Sequence, residues 1–438
     1  MKIALSKFLL KFNRKAKLPF FKQVLVADRN NWCQLDYVKM IISAFLKGFQ
    51  FVILYNKDTA PAKININLDG ENIKDSTYKK IYLWRVSLYH ICVELQVFRN
   101  DIDLTNPEHI SVIKKWFQKS IDFINHIEPY FKGRFYHKVI IQQGHLYDSS
   151  IIRLLCAIKG IEVIAIENTL NKDRIIWDNI SGISVNRNLA QNFFWKYSDI
   201  VNLQKTEKYS KNYLTNIKTL KVSEHASPKK KISKPGTQKV IFFIGQVYTD
   251  ASTLFGIYDF HSPVSIIDSL VQYAIKNDYL LIIKLHPKEI DGMDICSNRY
   301  DSITHRNILN RGRLFEEITA HKNIIYDYQN EYDTYSIIDI SDICVTINSQ
   351  AGLESLLFGK KVITCGNAFY DCISSVYSAK QESILYCTLD YLLKNGDVPV
   401  NMQEINNFFY IYCEKYCIKK TEPDFLNLIL SKSRWDNP

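Results

Sequence analysis

"VTINSQAGLESLLFGKKVITCGNAFY", Val345 to Tyr370, decides the fold. A short apolar run leads into Asn348, Ser349 and Gln350, a helix follows from about Ala351 and stops at Gly359, and "KVIT" opens a second apolar run. Strand, polar loop, short helix and strand make part of a βαβ series. Ser349 suits the N-cap, where a hydroxyl accepts from a first-turn amide. The remaining first-turn N–H groups and the positive end of the helix dipole suit a phosphate or pyrophosphate. Gly352 would let a ligand approach closely. Glu354 reads either as a capping or dipole partner or as an acceptor for the ribose hydroxyls of a nucleotide. Neither GxxxxGK[ST] nor GxGxxG occurs, which disfavours a Walker-type nucleotidase and a dinucleotide oxidoreductase.

Working outward, "IKLHPKE" (283–289) carries a histidine where a buried strand should stop. Pro287 has no N–H to give a neighbouring strand, so His286 is expected as the strand's last residue, at the ligand edge of a parallel sheet. Lys284, two residues earlier, should point the same way. An imidazole and an ammonium on one face could bind a phosphate, although a strand-end histidine can equally be tied to a loop carbonyl.

Similar apolar runs recur along the chain. "KQVLVAD" (22–28), "FQFVILY" (49–55), "HKVIIQQG" (137–144) and "EVIAIEN" (162–168) read as strands, with helices at 37–48, 75–97, 107–131 and 149–159. A second series begins at "KVIFFIGQV" and continues through "YLLIIKLHP", "NIIYDY", "ICVTINS" and "KVITCGN", with a helix near 263–276. Apolar runs without alternation suit parallel strands covered on both faces. Between the two series, "SEHASPKKKISKPGTQ" (223–238) is polar and basic, with two prolines and a glycine, and reads as a linker. The division expected is a Rossmann-like domain over 1–222, this linker, a second Rossmann-like domain over 239–400, and C-terminal helices over 401–438 that can cross back to the first domain. Two such domains facing a cleft are the fold class expected, α/β throughout.

Composition sets the outer limits. The 438 residues are too many for one ordinary core. With 47% hydrophobic and 23% charged residues, and no apolar run near the ~20 residues of a bilayer span, a cytoplasmic globular protein is expected. Ten cysteines lack metal-type spacing and read as reduced, mostly buried thiols. The net charge of +11 is uneven: Lys2, Lys7, Lys11, Arg14, Lys15, Lys17 and Lys22 precede the first acidic residue, Asp28, and are interleaved with Phe8, Leu9, Leu10 and Phe12. That segment reads either as a solvated terminal helix or as a peripheral contact with an anionic inner-membrane surface. Nucleic acid is not expected as a partner, since basic residues elsewhere are dispersed.

The run "FFIGQVYTDAS" (242–252), then "IIKLHPKE", then the opening stretch resembles the bacterial capsule polysaccharide biosynthesis family, whose members include Kdo transferases. Gln246, Asp250, Lys284, His286, Asn348, Ser349, Gly352, Glu354, Gly366, Ala368, Phe369 and Tyr370 carry the match. The resemblance implies a GT-B glycosyltransferase of capsule or lipopolysaccharide synthesis. Its C-terminal domain would hold a nucleotide-sugar donor, CMP-Kdo in the Kdo members, at Gln246, Asp250, Lys284, His286, Asn348, Ser349, Gln350, Gly352 and Glu354. The first domain would take a glycan or glycolipid acceptor. No metal ligand set stands out, and no cofactor is expected. A weaker likeness covers 140–186, through "IENTLNKDRIIWDNISGISVN" (166–186), near the family's Asp-x-x-Gly-x-x-Asn run, with Asp178, Gly182 and Asn186 in that order and each spacing one residue longer. "VIIQQGHLYD" and "VIAIENTLNKD" end strands in polar loops, so Glu167, Asp173 and Asp178 are candidate carboxylates and His145 a candidate proton carrier. Where Kdo members have an acidic-Asp-Gly run, this chain has Glu167-Asn168-Thr169. The alternatives are a UDP-sugar or CDP-polyol donor, or an inactive GT-B module that binds glycan or serves as a scaffold.

Overall fold

The computed structural model describes residues 21–27, 37–46, 48–54, 70–133, 135–171, 173–178, 188–222, 230–234, 236–290, 302–394 and 398–420. The basic segment 1–17, Gly182 and Asn186 lie outside them. The chain divides into two compact units: Met1–Leu95, Ile102–Asn186 and Cys417–Pro438 form one, Gln96–Asp101 and Arg187–Tyr416 the other. Each is a Rossmann-like α/β unit built on a six-stranded sheet.

In the first unit the elements are β1 (Lys22–Ala27), α1 (Tyr37–Leu46), β2 (Phe49–Ile53), a small hairpin of β3 (Thr77–Tyr78) and β4 (Ile81–Tyr82), α2 (Leu83–Leu95), α3 (Pro107–Phe131), β5 (Tyr136–Gln142), α4 (Tyr147–Ile158), β6 (Glu162–Asn168) and β7 (Arg174–Asp178). The sheet order is β2-β1-β5-β6-β7, closed by β14 (Ile418–Lys419) antiparallel to β7. One face buries Leu25, Val139, Ile141 and Val163 under α2, α3 and α4. The other carries Val24, Val26, Ile140, Ile164, Ile166 and Trp177 against Ile41 and Ala44 of α1. Burial on both faces explains the continuous apolar runs. Asn106 caps α3 by accepting from Glu108 N at 2.9 Å, and Pro107 follows at the first helical position.

Two expectations change here. The helix expected over 75–97 starts only at Leu83, because Lys79 and Lys80 take left-handed φ angles of 48° and 68° and turn the chain into the β3–β4 hairpin. The stretch after Glu167 is not all loop: "RIIWD" forms β7, antiparallel to β6.

The second unit contains α5 (Asn188–Tyr197), α6 (Leu203–Val222), β8 (Val240–Ile244), α7 (Ala251–Gly256), α8 (Pro263–Asn277), β9 (Leu280–Lys284), α9 (Pro287–Ile290), α10 (Ile303–Leu309), α11 (Gly312–Ala320), β10 (Ile324–Asp327), α12 (Thr334–Ile340), β11 (Ile343–Thr346), α13 (Gln350–Leu357), β12 (Lys361–Thr364), β13 (Val376–Ser378), α14 (Glu382–Lys394) and α15 (Met402–Ile411). Its strands run in parallel in the order β10-β9-β8-β11-β12-β13. Helices α5 and α6, expected with the first domain, cluster with the second unit. The reason is their packing on α15: Phe194 lies 5.4 Å from Phe408, Tyr213 lies 4.6 Å from Phe409, and Thr206 Oγ1 donates to Asn407 Oδ1 at 2.9 Å. Among the described residues no helix is long and apolar enough to cross a membrane.

Candidate functional site

The strand order of the second unit fixes where a ligand should sit. From β8 the chain builds outward to β9 and β10, then returns to add β11, β12 and β13 on the other side. The direction reverses between β8 and β11, and ligands of open α/β sheets bind outside the carboxyl ends at such a switch point. The loops leaving β8, β9 and β11 carry most of the expected donor residues.

Gln246 and Asn348 face each other across the switch point. Gln246 Nε2 donates to Asn348 Oδ1 at 2.9 Å, and Asn348 N donates to Gln246 Oε1 at 2.8 Å. Asn348 Nδ2 also donates to Ser252 O at 2.7 Å. Both side chains are buried. They lock the β8–α7 loop to the β11–α13 loop, so their visible work is to position the site.

Lys284 is likewise committed to the protein. Its ammonium, buried at the end of β9, donates to Asp327 Oδ2 at 2.7 Å and to Tyr332 O at 2.8 Å. Asp327 in turn accepts from Glu331 N at 2.6 Å and Tyr332 N at 3.2 Å. The expected phosphate ligand is thus a buried ion pair that shapes the turn after β10. Glu354 differs in the same way from the expected ribose acceptor: it is buried on α13 and accepts from Tyr213 and Tyr335 hydroxyls, each at 3.4 Å. Burial first, and then the nearby carboxylate, push both phenols above their ordinary range.

Gly352 does serve a close approach, but to the protein. A Cβ there would collide with the Tyr370 hydroxyl, which donates to Ser349 O. The Gly-x-Ala-Phe-Tyr run therefore braces the N-cap of α13 from below. Gly245 answers a second crowding: its backbone crosses the end of β9, with Gly245 N donating to Lys284 O at 2.9 Å and no room for a side chain. That crossing brings the β8 loop beside His286.

His286, Asp250, Ser349 and Gln350 stand at the rim, where solvent reaches them. The strand ends at Lys284 rather than at His286, and Pro287 opens α9. His286 Nδ1 accepts from Lys288 N at 3.1 Å, so the neutral ring carries its proton on Nε2, as a donor. Ser349 caps α13 as expected, its Oγ accepting from Ala351 N at 3.2 Å. Asp250 precedes α7 and accepts from Ser252 Oγ at 2.6 Å.

Sequence reasoning missed Glu289. Its buried carboxylate accepts from Tyr248 N (2.6 Å), Ser302 Oγ (2.7 Å), Thr304 Oγ1 (3.0 Å) and Thr304 N (3.3 Å). Burial raises its pKa, and these four donors oppose that shift. It ties the β8–α7 loop to the segment following His286. The only signal was its place directly after "HPK".

In the first unit Glu167 lies near the carboxyl end of β6 and is half-buried. Asp178 does not share its loop: it pairs with Ala165, while Glu167 pairs with Ile176, and Asp178 is fully buried. His145 stands on the β5–α4 loop with its ring edge-on to Tyr89 at 4.7 Å. Asp173 begins the turn into β7, where its N donates to Asn171 Oδ1 at 2.9 Å and its carbonyl oxygen accepts from Lys420 N at 2.8 Å.

Fold and site together define a two-unit Rossmann-like α/β protein with a helix-capped switch point in its second unit. Residues 184–376 match the model of the family described as capsule polysaccharide biosynthesis protein, the family that the motifs resemble. No curated protein sequence matches the chain. Among solved structures, the chain is similar to the Thermosulfurimonas dismutans KpsC beta Kdo 2,4 transferase, at 16% identity over 62% of this chain and 79% of that one, with a TM-score of 0.43. The beta Kdo 2,7 transferase of the same organism's KpsC gives 15%, 71%, 90% and 0.39. A Methanocaldococcus jannaschii UDP-GlcNAc 2-epimerase gives 10%, 89%, 99% and 0.34.

Proposed function

We propose that this chain is a GT-B glycosyltransferase of bacterial surface-polysaccharide synthesis, with a nucleotide-sugar donor bound in the second unit and CMP-Kdo as that donor. The observation that carries the reading is the switch point itself, where His286 and the Ser349-capped end of α13 stand at the solvent-reached rim, on loops locked by Gln246 and Asn348. When the bond between the anomeric carbon and the phosphate oxygen breaks, negative charge grows on the phosphate. A preorganised imidazole donor and helix amides stabilise that charge without a metal ion. Asp250 and Gln350 line the same rim. Glu167 is the carboxylate proposed for the sugar-side chemistry, because solvent reaches it and Asp178 is sealed; His145 is the proposed proton carrier. The acceptor is a glycan or glycolipid, and the basic N-terminal segment is proposed to hold the protein at an anionic membrane surface.

The test is a donor panel of CMP-Kdo, CMP-sialate, UDP-hexoses and CDP-glycerol, with turnover and binding measured separately. Turnover with CMP-Kdo is expected. Turnover confined to a UDP-sugar or CDP-glycerol would replace the donor, and nucleotide binding without turnover of any donor would favour a glycan-binding module.

A further inference from the structure

The first unit has a switch point of its own. From β1 the chain adds β2 on one side and then β5, β6 and β7 on the other, so the direction reverses between β1 and β5. The loop leaving β5 there carries His145 and leads into α4. Two ring contacts tie this start of α4 to the middle of α2: Tyr89 meets His145 at 4.7 Å, and His90 meets Tyr147 at 5.2 Å. Val86 and Ile91 of α2 share one buried core with Ile151, Ile152 and Cys156 of α4.

The same two helices bring two positive charges together. Arg85 stands one turn before Tyr89 on α2, and Arg153 one turn after Ser149 on α4. Arg153 is half-buried, and its Nε is sealed from water with no hydrogen-bond partner. Burial first, and then the charge of Arg85, lower its pKa, and no carboxylate acts against them. Arg85 is exposed, and neither guanidinium makes a hydrogen bond or an ion pair among the described residues. The carboxylates on the two helices are engaged elsewhere. Glu94 accepts from Lys115 Nζ at 2.6 Å and Trp116 Nε1 at 2.9 Å, and Asp148 Oδ1 accepts from Ser149 N at 2.8 Å.

Like charges held side by side, one with a sealed donor, lower stability. Elsewhere the chain pairs its buried cations, Lys138 with Glu162 and Lys284 with Asp327. The exception calls for an explanation, and the chemistry suits an anion. A guanidinium presents its N–H groups as a fork that matches two oxygens of a carboxylate or a phosphate. A carboxylate has one charge and two oxygens. A terminal phosphate ester carries about −1.5 to −2 at neutral pH and has three oxygens, enough for both forks. The place fits an acceptor. Tyr147 and Arg153 span under two turns of α4, about 9 Å of rise. An anion held there lies about that far from the loop of His145, the proposed proton carrier.

We propose that Arg85 and Arg153 form an oxyanion site of the first unit, which anchors a terminal phosphate of the acceptor so that the adjoining sugar reaches His145. The assignment to an acceptor rests on the glycosyltransferase reading; the preference for a phosphate rests on the two guanidiniums alone.

The test is calorimetry on the full chain with glycerol 3-phosphate, with acetate as competitor at fixed ionic strength, beside calorimetry with CMP. Flotation with vesicles of phosphatidic acid or of phosphatidylcholine separates a lipid headgroup from a soluble ester. Arg85→Gln removes one charge; Arg153→Met keeps the aliphatic stem and removes the other. Glycerol 3-phosphate or phosphatidic acid is expected to bind the wild type. Each variant should weaken that binding about tenfold or more, with CMP affinity unchanged and no competition by acetate. Loss confined to phosphatidic acid vesicles assigns the site to a lipid headgroup, and loss of glycerol 3-phosphate to a phosphate on any carrier. Arg153→Met should melt no lower than wild type in phosphate-free buffer, since it removes a sealed donor and a like-charge contact. Absence of binding to either phosphate probe, equal binding by both folded variants, or competition by acetate would each overturn the site. An Arg153→Met melting point well below wild type would do so too, by showing that the guanidinium has a structural role. CMP binding with unchanged phosphate-probe binding in the variants contradicts this site only. Phosphate-probe binding lost in the variants, in a chain that binds no CMP, contradicts the donor reading only.

Discussion

The two switch points are built from similar parts and used differently. In the second unit, the polar side chains at the carboxyl edge are largely paired with one another: Gln246 with Asn348, Lys284 with Asp327, Glu289 with the β8–α7 loop and α10. In the first unit, Gln142 Oε1 sits buried at the equivalent edge with no hydrogen-bond partner among the described residues. An edge whose polar groups satisfy each other is rigid and presents only what projects from it, here His286 and the capped end of α13. An edge that keeps an unmatched buried acceptor carries a stability cost that the paired edge avoids.

This contrast can be broken most forcefully at Lys284. If it is a structural ion pair, Lys284→Met should destabilise the protein by about 3–5 kcal/mol, since Asp327 is left buried and uncompensated. The double variant Lys284→Met/Asp327→Leu should recover most of that loss. Chemical denaturation would show it. A stable Lys284→Met protein that has lost nucleotide binding would return Lys284 to the ligand.

A smaller effect, about 1–3 kcal/mol, is expected for Gln246→Ala or Asn348→Ala, each of which leaves buried amide groups unpaired. The two should be non-additive in a double-mutant cycle, because both remove the hydrogen bond from Gln246 Nε2 to Asn348 Oδ1, whereas the bond from Asn348 N is lost only with Gln246 and the bond to Ser252 O only with Asn348. Additive losses would mean that the lock between the two loops contributes little.

Smallest is the brace under α13. Gly352→Ala should lower the melting temperature by forcing the Tyr370 hydroxyl aside, and Gly352→Ala/Tyr370→Phe should be more stable than Gly352→Ala alone. If the second change worsens the first, Tyr370 does not occupy the space that the glycine leaves.

Much of this fold was legible in the sequence because parallel strands buried on both faces leave unbroken apolar runs: "VIFFI", "LLIIK" and "ICVT" all became strands with every residue buried. Ser349 was legible as a cap because capping is local. The inward-turned polar residues were not. Lys284 meets Asp327 at a separation of 43 residues, Gln246 meets Asn348 at 102, and Glu354 meets Tyr213 at 141. A motif of polar residues looks the same in sequence whether it faces a ligand or a partner strand. Strand β7 is hard to see in the sequence because five residues after an Asn-rich turn carry no alternation, and its pairings with β6 and β14 are antiparallel, at the edge of the sheet.

The central claim is that the edge of the second unit holds a donor phosphate through His286. The direct measurement is transfer by His286→Ala with CMP-Kdo, beside calorimetric binding of CMP and a thermal melt. The account predicts a loss of about 10²- to 10³-fold in turnover, as for removal of one preorganised donor to developing charge, with the melting temperature within about a degree of wild type. Near wild-type turnover by the folded variant would contradict it.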